Sequence, residues 1–301
     1  MYDLIIIGAG PAGLSAGIYA ARKQIKTLIL TKDLVGQVGR AGIIENWPGE
    51  KNISGPELIN KFRDHLILYN LNIQETQVES VKKNNNIFLV KTEKQEFETK
   101  SIIIATGRVP RSLNIPGEKE FIGKGVSFCV TCDGTFFKNK SVVVVGGGNA
   151  GFEGAIELAN YAKQVFLFEK SFEFKADQIL QKKAKEKGII LLNNTELLEI
   201  KGDMFVREIE YFSKEKKNLK IEGVFIEIGS EPVVDFLHNS LVDLNKEKEI
   251  RINPKTCETK TLGLFAAGDV TDIKDKQIII ASAEGVKALL SVYNYLQNFN
   301  T

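Results

Sequence analysis

Cys129-Val130-Thr131-Cys132 sets two thiols three positions apart, with Asp133-Gly134 directly behind them. A loop that short lets the sulfurs close a bond, and a redox dithiol also needs surroundings that stabilise one thiolate. Asp133 stands where a carboxylate could take or give the proton, although an Asp-Gly pair is equally a turn former. Zinc would need a second pair of ligands, and neither Cys257 with a histidine nor any nearby cluster supplies one. For two structural thiols the spacing would be a coincidence, so redox chemistry is the favoured reading. Cys257 follows Asn253-Pro254-Lys255-Thr256 alone and is expected to be inert.

A second chemistry is written twice. Leu4-Ile5-Ile6-Ile7 runs into Gly8-Ala9-Gly10-Pro11-Ala12-Gly13, and Val142-Val143-Val144-Val145 runs into Gly146-Gly147-Gly148-Asn149-Ala150-Gly151. Each is an aliphatic strand, a G-x-G-x-x-G and a helix-compatible run. The first glycine allows a tight turn, the second lets a pyrophosphate approach, and the third allows close helix–strand packing, with the helix N-terminus offering amides to the phosphate. An acid about 20 residues on should hold a ribose. Asp33 lies 20 positions after Gly13 (33 − 13), and Glu169 lies 18 after Gly151 (169 − 151).

The elements that must hold these groups alternate. Helices are expected over 14–23 and 152–162, each followed by a strand, at 27–30 and 165–168; further strands are expected at 87–90, 101–105, 189–192, 224–228 and 264–267, and a last helix over 283–298. Continuous Val/Ile runs suit parallel strands covered on both faces, and the alternation predicts right-handed crossovers. The two glycine motifs are separated by 138 residues (146 − 8), a domain length rather than a solenoid repeat. The expected fold is α/β, with two Rossmann-like three-layer nucleotide-binding domains, the second inserted into the first: residues 1–112 with 245–301, and residues 113–244. Asn84-Asn85-Asn86 and Lys214-Glu215-Lys216-Lys217-Asn218 read as polar hairpin tips.

Composition narrows the partners. The 301 residues hold 40 Lys and Arg against 38 Asp and Glu, a net charge of +2 that gives no general pull on nucleic acid or membrane. No apolar run approaches the roughly 18 residues of a membrane span, and no basic segment precedes the first strand as a secretory leader would require. Three cysteines, two of them in one motif, fit a cytoplasmic protein. No metal site is expected.

Several short stretches, taken in order, are identified with one family. They are Gly8 to Gly13, Gly36-Gln37, Glu45-Asn46-Trp47-Pro48-Gly49, Ala105-Thr106-Gly107, Cys129 to Gly134, Gly146 to Gly151, and Ala267-Gly268-Asp269-Val270-Thr271-Asp272 with Lys276-Gln277. The chain resembles the low-molecular-weight thioredoxin reductases along its whole length. Its second half is similar to the reductase core of the flavoprotein subunit of alkyl hydroperoxide reductase, through Lys175-Ala176-Asp177-Gln178, Lys255 to Thr259 and Lys276 to Ala281. That flavoprotein carries an N-terminal thioredoxin-like module, expected to be absent here because the chain opens at the glycine motif.

The resemblance implies FAD on the discontinuous domain. Gly8, Gly10, Pro11, Ala12 and Gly13 would hold its pyrophosphate and Asp33 the adenosine ribose. Gln37 and Asn46 would line the flavin, with Asp269 at the polyol and Gln277 and Ile278 at the ring end, and Gly36, Thr106, Gly107 and Gly268 would be further cofactor-binding residues. It implies that Cys129 attacks the protein substrate, that Cys132 faces the flavin and that Asp133 is the acid–base carboxylate. The implied partner is thioredoxin or a thioredoxin-like protein, and the implied assembly a homodimer.

The pattern breaks at the electron donor. NADPH-dependent relatives carry His-Arg-Arg after the second strand of the inserted domain, where this chain has Glu169-Lys170-Ser171, with Lys175 beyond. A 2′-phosphate wants a guanidinium fork, which Lys does not replace, so NADPH ranks last. Glu169 together with Gly146, Gly148, Asn149, Ala150 and Gly151 favours NADH. The alternative is reduced ferredoxin acting on a vestigial dinucleotide site, with lysines 163, 170, 175, 182, 183, 185 and 187 as docking charges or simply a solvated helix face. A flavin redox sensor without turnover and an uncoupled flavin oxidase are the readings outside the reductase class.

Overall fold

The computed structural model describes residues 1–41, 43–44, 46–238 and 240–299. Glu45, part of one matching stretch, lies outside them. The chain forms two compact units: Met1–Arg40, Ile44–Val109 and Glu231–Thr301 make the first, and Ala41–Ile43 with Pro110–Ser230 the second.

In the first unit the strand Tyr2–Ile7 is central. It pairs in parallel with Thr27–Thr31 on one side and Glu96–Ile104 on the other, and Asn72–Glu75 extends the sheet beyond Thr27–Thr31. The long strand Glu96–Ile104 changes partner along one edge. Residues 96–99 pair antiparallel with Ile87–Thr92, whereas 102–104 pair in parallel with Leu264–Ala266. The helices Pro11–Arg22 and Ile278–Phe299 pack together, and Gly285 permits it: a Cβ there would stand 2.0 Å from the Ala12 carbonyl oxygen. Strand residues Leu4, Ile5, Ile6, Leu28, Ile29 and Leu30 are fully buried, which is what continuous aliphatic runs require.

The second unit repeats the plan. Ser141–Val145 is central, flanked by Gln164–Phe168 and Gly223–Ile226, with Ile190–Leu192 and Val126–Ser127 at the edges, all parallel. Glu196–Gly202, Val206–Ser213 and Glu215–Lys220 form an antiparallel meander.

Two sequence expectations need correction. Residues 231–244 belong to the first unit: Val234, Leu237, Leu241 and Val242 are buried in the same core as Ile5, Val81 and Ile250, and Leu237 bridges to Val81. At the other crossing Pro110 to Ser112 belong to the second unit, where the Arg111 amide donates to Gly229. Lys214 to Asn218 are not a hairpin tip. Only Lys214 turns, at φ +69°, and Glu215–Lys220 is an edge strand carried by cross-strand pairs such as Lys216 with Glu210 at 3.1 Å. Lysine-rich sequence on an edge strand discourages pairing with other chains, which is why polarity there does not mean loop. Asn84 to Asn86 do form a tip, with Asn85 at φ +54°.

No helix among the described residues is long and apolar enough to cross a membrane, and no group of His, Cys, Asp and Glu among them is arranged to hold a metal.

Candidate functional site: a redox disulfide and two glycine turns

Cys129 and Cys132 are joined as a disulfide, half-buried in the second unit. Cys129 is extended and caps the short helix Val130–Asp133, its sulfur accepting the Cys132 N–H at 3.2 Å. Two glycines let this helix lie on Asn149–Leu158. A Cβ on Gly134 would sit 2.3 Å from the Tyr161 hydroxyl, and one on Gly154 would sit 2.8 Å from a Val130 methyl. Asp133 comes to the same turn. Its amide donates to the Cys129 carbonyl at 3.1 Å, and its carboxylate accepts the Ser127 hydroxyl at 2.7 Å. Ser127 in turn accepts the Cys129 N–H at 3.1 Å, so one hydroxyl ties the first cysteine to the carboxylate. Sequence reasoning missed Ser127, whose only signal is its place two residues before Cys129.

The glycine turn of the first unit divides its labour as the motif demands. Gly8 has φ +113°, and a Cβ there would lie 2.2 Å from the Ala105 carbonyl oxygen; one on Gly13 would lie 1.9 Å from the Gly8 oxygen. Gly10 is different: its backbone is extended, and a Cβ on it would meet nothing within 4 Å. The fold therefore requires glycine at 8 and 13, while the space beside Gly10 suits a group brought up against the helix start, where Pro11 opens the helix and Ala12 and Gly13 follow. Gly268 (φ +80°) comes within 3.1 Å of the Ala12 methyl group, measured from its would-be Cβ. Glu284, on the last helix, fixes that loop by accepting the Gly268 N–H at 2.7 Å. Next to it, burial raises the Asp269 carboxyl above its ordinary value, opposed by Lys276 and Arg108, which both pair with Glu249.

Of the other expected residues of this unit, Asn46 and Gln277 meet. The Asn46 amide donates to Gln277 at 3.2 Å, and Gln277 immediately precedes Ile278, the first residue of the last helix. Thr106 donates to the Val233 carbonyl at 2.7 Å, and Gly107 turns with φ +66°. Gly36 (φ +59°) and Gln37 open the short helix Gly36–Arg40. Asp33 does not stand where a ribose-binding acid would. Gly8 donates to Leu30 as Gly146 donates to Phe168, so the position after that strand contact is Thr31 in one unit and Glu169 in the other. Two residues later, the Asp33 carboxylate is committed to the loop, accepting from Val35 at 2.8 Å and Gly36 at 2.6 Å and pairing with Arg40 at 3.2 Å. Burial opposes its charge, but these donors outweigh it and hold the carboxyl below its ordinary value. The count from Gly13 was right in number and wrong in register.

The second glycine turn mirrors the first. A Cβ on Gly146 (φ +133°) would meet the Glu227 carbonyl oxygen at 2.3 Å, one on Gly151 would meet the Gly146 oxygen at 1.9 Å, and one on Gly148 would meet nothing within 4 Å. Ala150 is exposed on the first turn of the following helix, and Asn149 pairs reciprocally with Asp177, at 2.9 and 3.1 Å. Glu169 leans over the turn, accepting the Gly147 N–H at 2.7 Å on one oxygen and the Ser171 N–H at 2.7 Å, with the Ser171 hydroxyl, on the other. Burial works against its charge, yet the Ser171 and Gly147 hydrogen bonds and the Lys175 ammonium hold it ionised, below its ordinary value.

Two α/β units with matching glycine turns, one carrying a CxxC disulfide at its surface, define a nucleotide-binding disulfide oxidoreductase. Residues 2–285 match the family model described as pyridine nucleotide-disulphide oxidoreductase. The F subunit of alkyl hydroperoxide reductase from Staphylococcus epidermidis is 39% identical over 301 residues, covering 98% of this chain and 59% of that protein. The chain thus spans about three-fifths of the length of the curated relatives it matches. Among solved structures, thioredoxin reductase from Streptococcus pyogenes superposes with a TM-score of 0.89 at 35% identity, over 99% of each chain. Thioredoxin reductase from Giardia duodenalis gives 0.87 at 31%, over 98% of this chain and 99% of that one. The chain belongs to the pyridine nucleotide-disulphide oxidoreductase family, in its thioredoxin reductase class, whose members are FAD-dependent disulfide oxidoreductases.

Proposed function

We propose that this protein is an FAD-dependent protein-disulfide reductase that takes electrons from NADH and delivers them, through Cys129 and Cys132, to a thioredoxin-type disulfide. The observation that carries it is the pairing of a formed CxxC disulfide, with Asp133 in its turn, and two glycine turns whose middle glycines, Gly10 and Gly148, face open space. FAD would be held by Gly8, Gly10, Pro11, Ala12 and Gly13 at the pyrophosphate, by Gly268 and Asp269 at the polyol, and by Gly36, Gln37, Asn46, Thr106, Gly107, Gln277 and Ile278 toward the flavin ring. Bound there, it supplies two-electron reduction of the disulfide. Asp33 serves to shape the loop before Gly36 and is not part of the ribose contact.

The chain's own residues do the rest. Opening of the Cys129–Cys132 bond leaves two sulfurs, and the Cys132 N–H that already points at the Cys129 sulfur stabilises a thiolate there. That thiolate attacks the partner's disulfide to give a mixed disulfide, which Cys132 then resolves. Asp133, held by Ser127, is placed to move the proton that the departing thiolate requires.

NADH is favoured by Glu169, an ionised carboxylate at the strand end that suits ribose hydroxyls and repels a 2′-phosphate. A cytoplasmic homodimer is part of the same proposal. The deciding experiment is anaerobic reduction of the bound flavin with NADH, NADPH or reduced ferredoxin in parallel, followed by steady-state reduction of a thioredoxin disulfide. Rapid bleaching by NADH with thioredoxin turnover is expected. Flavin that stays oxidised with NADH yet is reduced by ferredoxin assigns the donor to ferredoxin, and bleaching without thioredoxin turnover removes the reductase reading.

A further inference from the structure

Glu284 is a buried acid in the last helix, on the face that also buries Ala281, Ala288 and Leu289, and no step of the proposed reaction uses it. A buried carboxyl group is costly unless it is hydrogen-bonded. Its partner is the Gly268 N–H at 2.7 Å. That amide has left the sheet: the Ala267 N–H still donates to Ile104 at 2.9 Å, and Gly268 then turns away with φ +80°. The Gly268 carbonyl is held as well, accepting the Thr271 N–H at 3.0 Å and the Thr271 hydroxyl at 2.9 Å. Both peptide groups of Gly268 are thus fixed, one by the helix and one by its own turn, and Asp269 is mounted on the second. The next helical residue does a matching job at the other end of the site. A Cβ on Gly285 would stand 2.0 Å from the Ala12 carbonyl oxygen, and Ala12 lies in the first turn of the helix Pro11–Arg22. Two successive residues therefore set the separation between the Asp269 loop and the first glycine turn.

We propose that Glu284 is a positioning residue for the flavin: by accepting the Gly268 N–H it presets the loop that carries Asp269, so that the polyol and pyrophosphate ends of the site stand ready at one spacing. This rests on the reading of Gly8 to Gly13 and Asp269 as FAD-binding residues. Packing of the two helices does not call for an acid, because Gly285 and Ala12 make that contact by being small. The carboxyl group is explained by the amide it accepts. An αL turn at the end of a strand leaves a buried N–H that the sheet no longer serves, and such a group needs a partner. The consequence for binding follows from preorganisation. A ligand that touches two ends of a site binds more weakly when it must also order the segment between them. FAD reaches from the glycine turn to Asp269 and would bear that cost if Gly268 were released. ADP carries the same pyrophosphate and adenosine but no polyol, so it ends before Asp269 and would not.

The test uses the full-length protein stripped of flavin and titrated calorimetrically with FAD or with ADP, together with hydrogen exchange at the Gly268 amide. Glu284→Gln keeps an acceptor for that amide, and its FAD affinity is expected to stay within about threefold of wild type. Glu284→Ala removes the acceptor. Its FAD affinity is expected to fall roughly tenfold to a hundredfold, its ADP affinity by less than about threefold, and its Gly268 exchange to quicken by about tenfold or more. Wild-type FAD affinity in the Ala variant would overturn the positioning. So would equal losses of FAD and ADP, which would mean that Glu284 only supports the fold, and a Gln variant as weak as the Ala variant would overturn the acceptor role. Wild-type protein that binds no FAD, with Gly268 exchange still faster in the Ala variant, would instead remove the flavin reading itself, and the proposal with it.

Discussion

Glu169 accepts the backbone N–H of Gly147 at 2.7 Å, so the acid at the end of one strand closes over the glycine turn that leaves the next. A carboxylate has about four acceptor positions, and Gly147 with the Ser171 amide and hydroxyl uses three of them. What remains on the Gly147 side is one acceptor position, which the proposed use of NADH would give to a ribose hydroxyl. The same closure explains the middle of Gly146-Gly147-Gly148: a Cβ on Gly147 would lie 2.5 Å from that carboxylate.

Removing Glu169 should therefore affect the donor and not the dithiol. Losing one charge-assisted hydrogen bond costs about 1.5–3 kcal/mol, or roughly tenfold to a hundredfold in binding. Glu169→Ala is expected to raise KM for NADH by that factor with FAD content unchanged, and Glu169→Arg to move preference toward NADPH. Unaltered NADH kinetics in both variants would remove Glu169 from the dinucleotide site.

Gly10 offers a test of flavin binding that the fold does not confound. Its would-be Cβ meets open space, so Gly10→Val should purify with most of its FAD lost yet melt at little different a temperature from wild type stripped of FAD. Gly13→Ala should instead lose structure, because a methyl there would overlap the Gly8 carbonyl. Absorbance of the purified proteins near 450 nm, with thermal melts, separates the two; full FAD occupancy in the Val variant would mean the phosphate does not pass Gly10.

Much of this site was legible in the sequence because its parts are local. A strand, a glycine turn and a helix start follow one another within a dozen residues, and a CxxC sits in one turn. What escaped was held by distance. Ser127 and Asp133 are six residues apart, but only the folded turn joins them. Glu284 reaches Gly268 across 16 residues, and no spacing rule foresees such a pair. Asp33 was misread for the opposite reason. Counting from Gly13 treats the helix and loop as fixed in length, whereas the backbone register, Gly8 on Leu30, ends the strand at Thr31. The boundary at 230 escaped because residues 231–244 have no regular periodicity, and their apolar side chains declare their unit only by what they pack against.

Glu284 predicts a pH dependence of stability. Burial raises its carboxyl above the ordinary value, against the Gly268 N–H, Lys287, Lys276 and Thr271. A raised folded-state value means that the folded protein holds the proton more tightly than the unfolded chain. That contribution is complete below the ordinary value of 4.5 and is lost as pH rises through the folded-state value. Glu284→Gln keeps an acceptor for Gly268 without the charge. Its melting temperature relative to wild type should increase as pH rises from about 4.5 toward neutrality; a constant offset across that range would show that Glu284 titrates normally.

The two cysteines should divide the work unequally. The Cys129 sulfur receives the Cys132 amide, a backbone donor that survives replacement of the Cys132 side chain. Cys132→Ser should therefore retain a reactive Cys129 thiolate with nothing to resolve what it attacks, and should accumulate a stable mixed disulfide with a thioredoxin-type partner. Cys129→Ser leaves the other sulfur without that cap, so it should trap little partner; a lone Cys132 thiolate facing oxidised flavin should instead give a long-wavelength charge-transfer band. Both variants should lose thioredoxin turnover by more than about 1,000-fold, because one thiol cannot complete the exchange. Non-reducing gels with purified partner, alongside visible spectra near neutral pH, read the two behaviours directly. Trapping by Cys129→Ser and a charge-transfer band in Cys132→Ser would reverse the roles, and would mean that the Cys132 amide does not select the attacking sulfur.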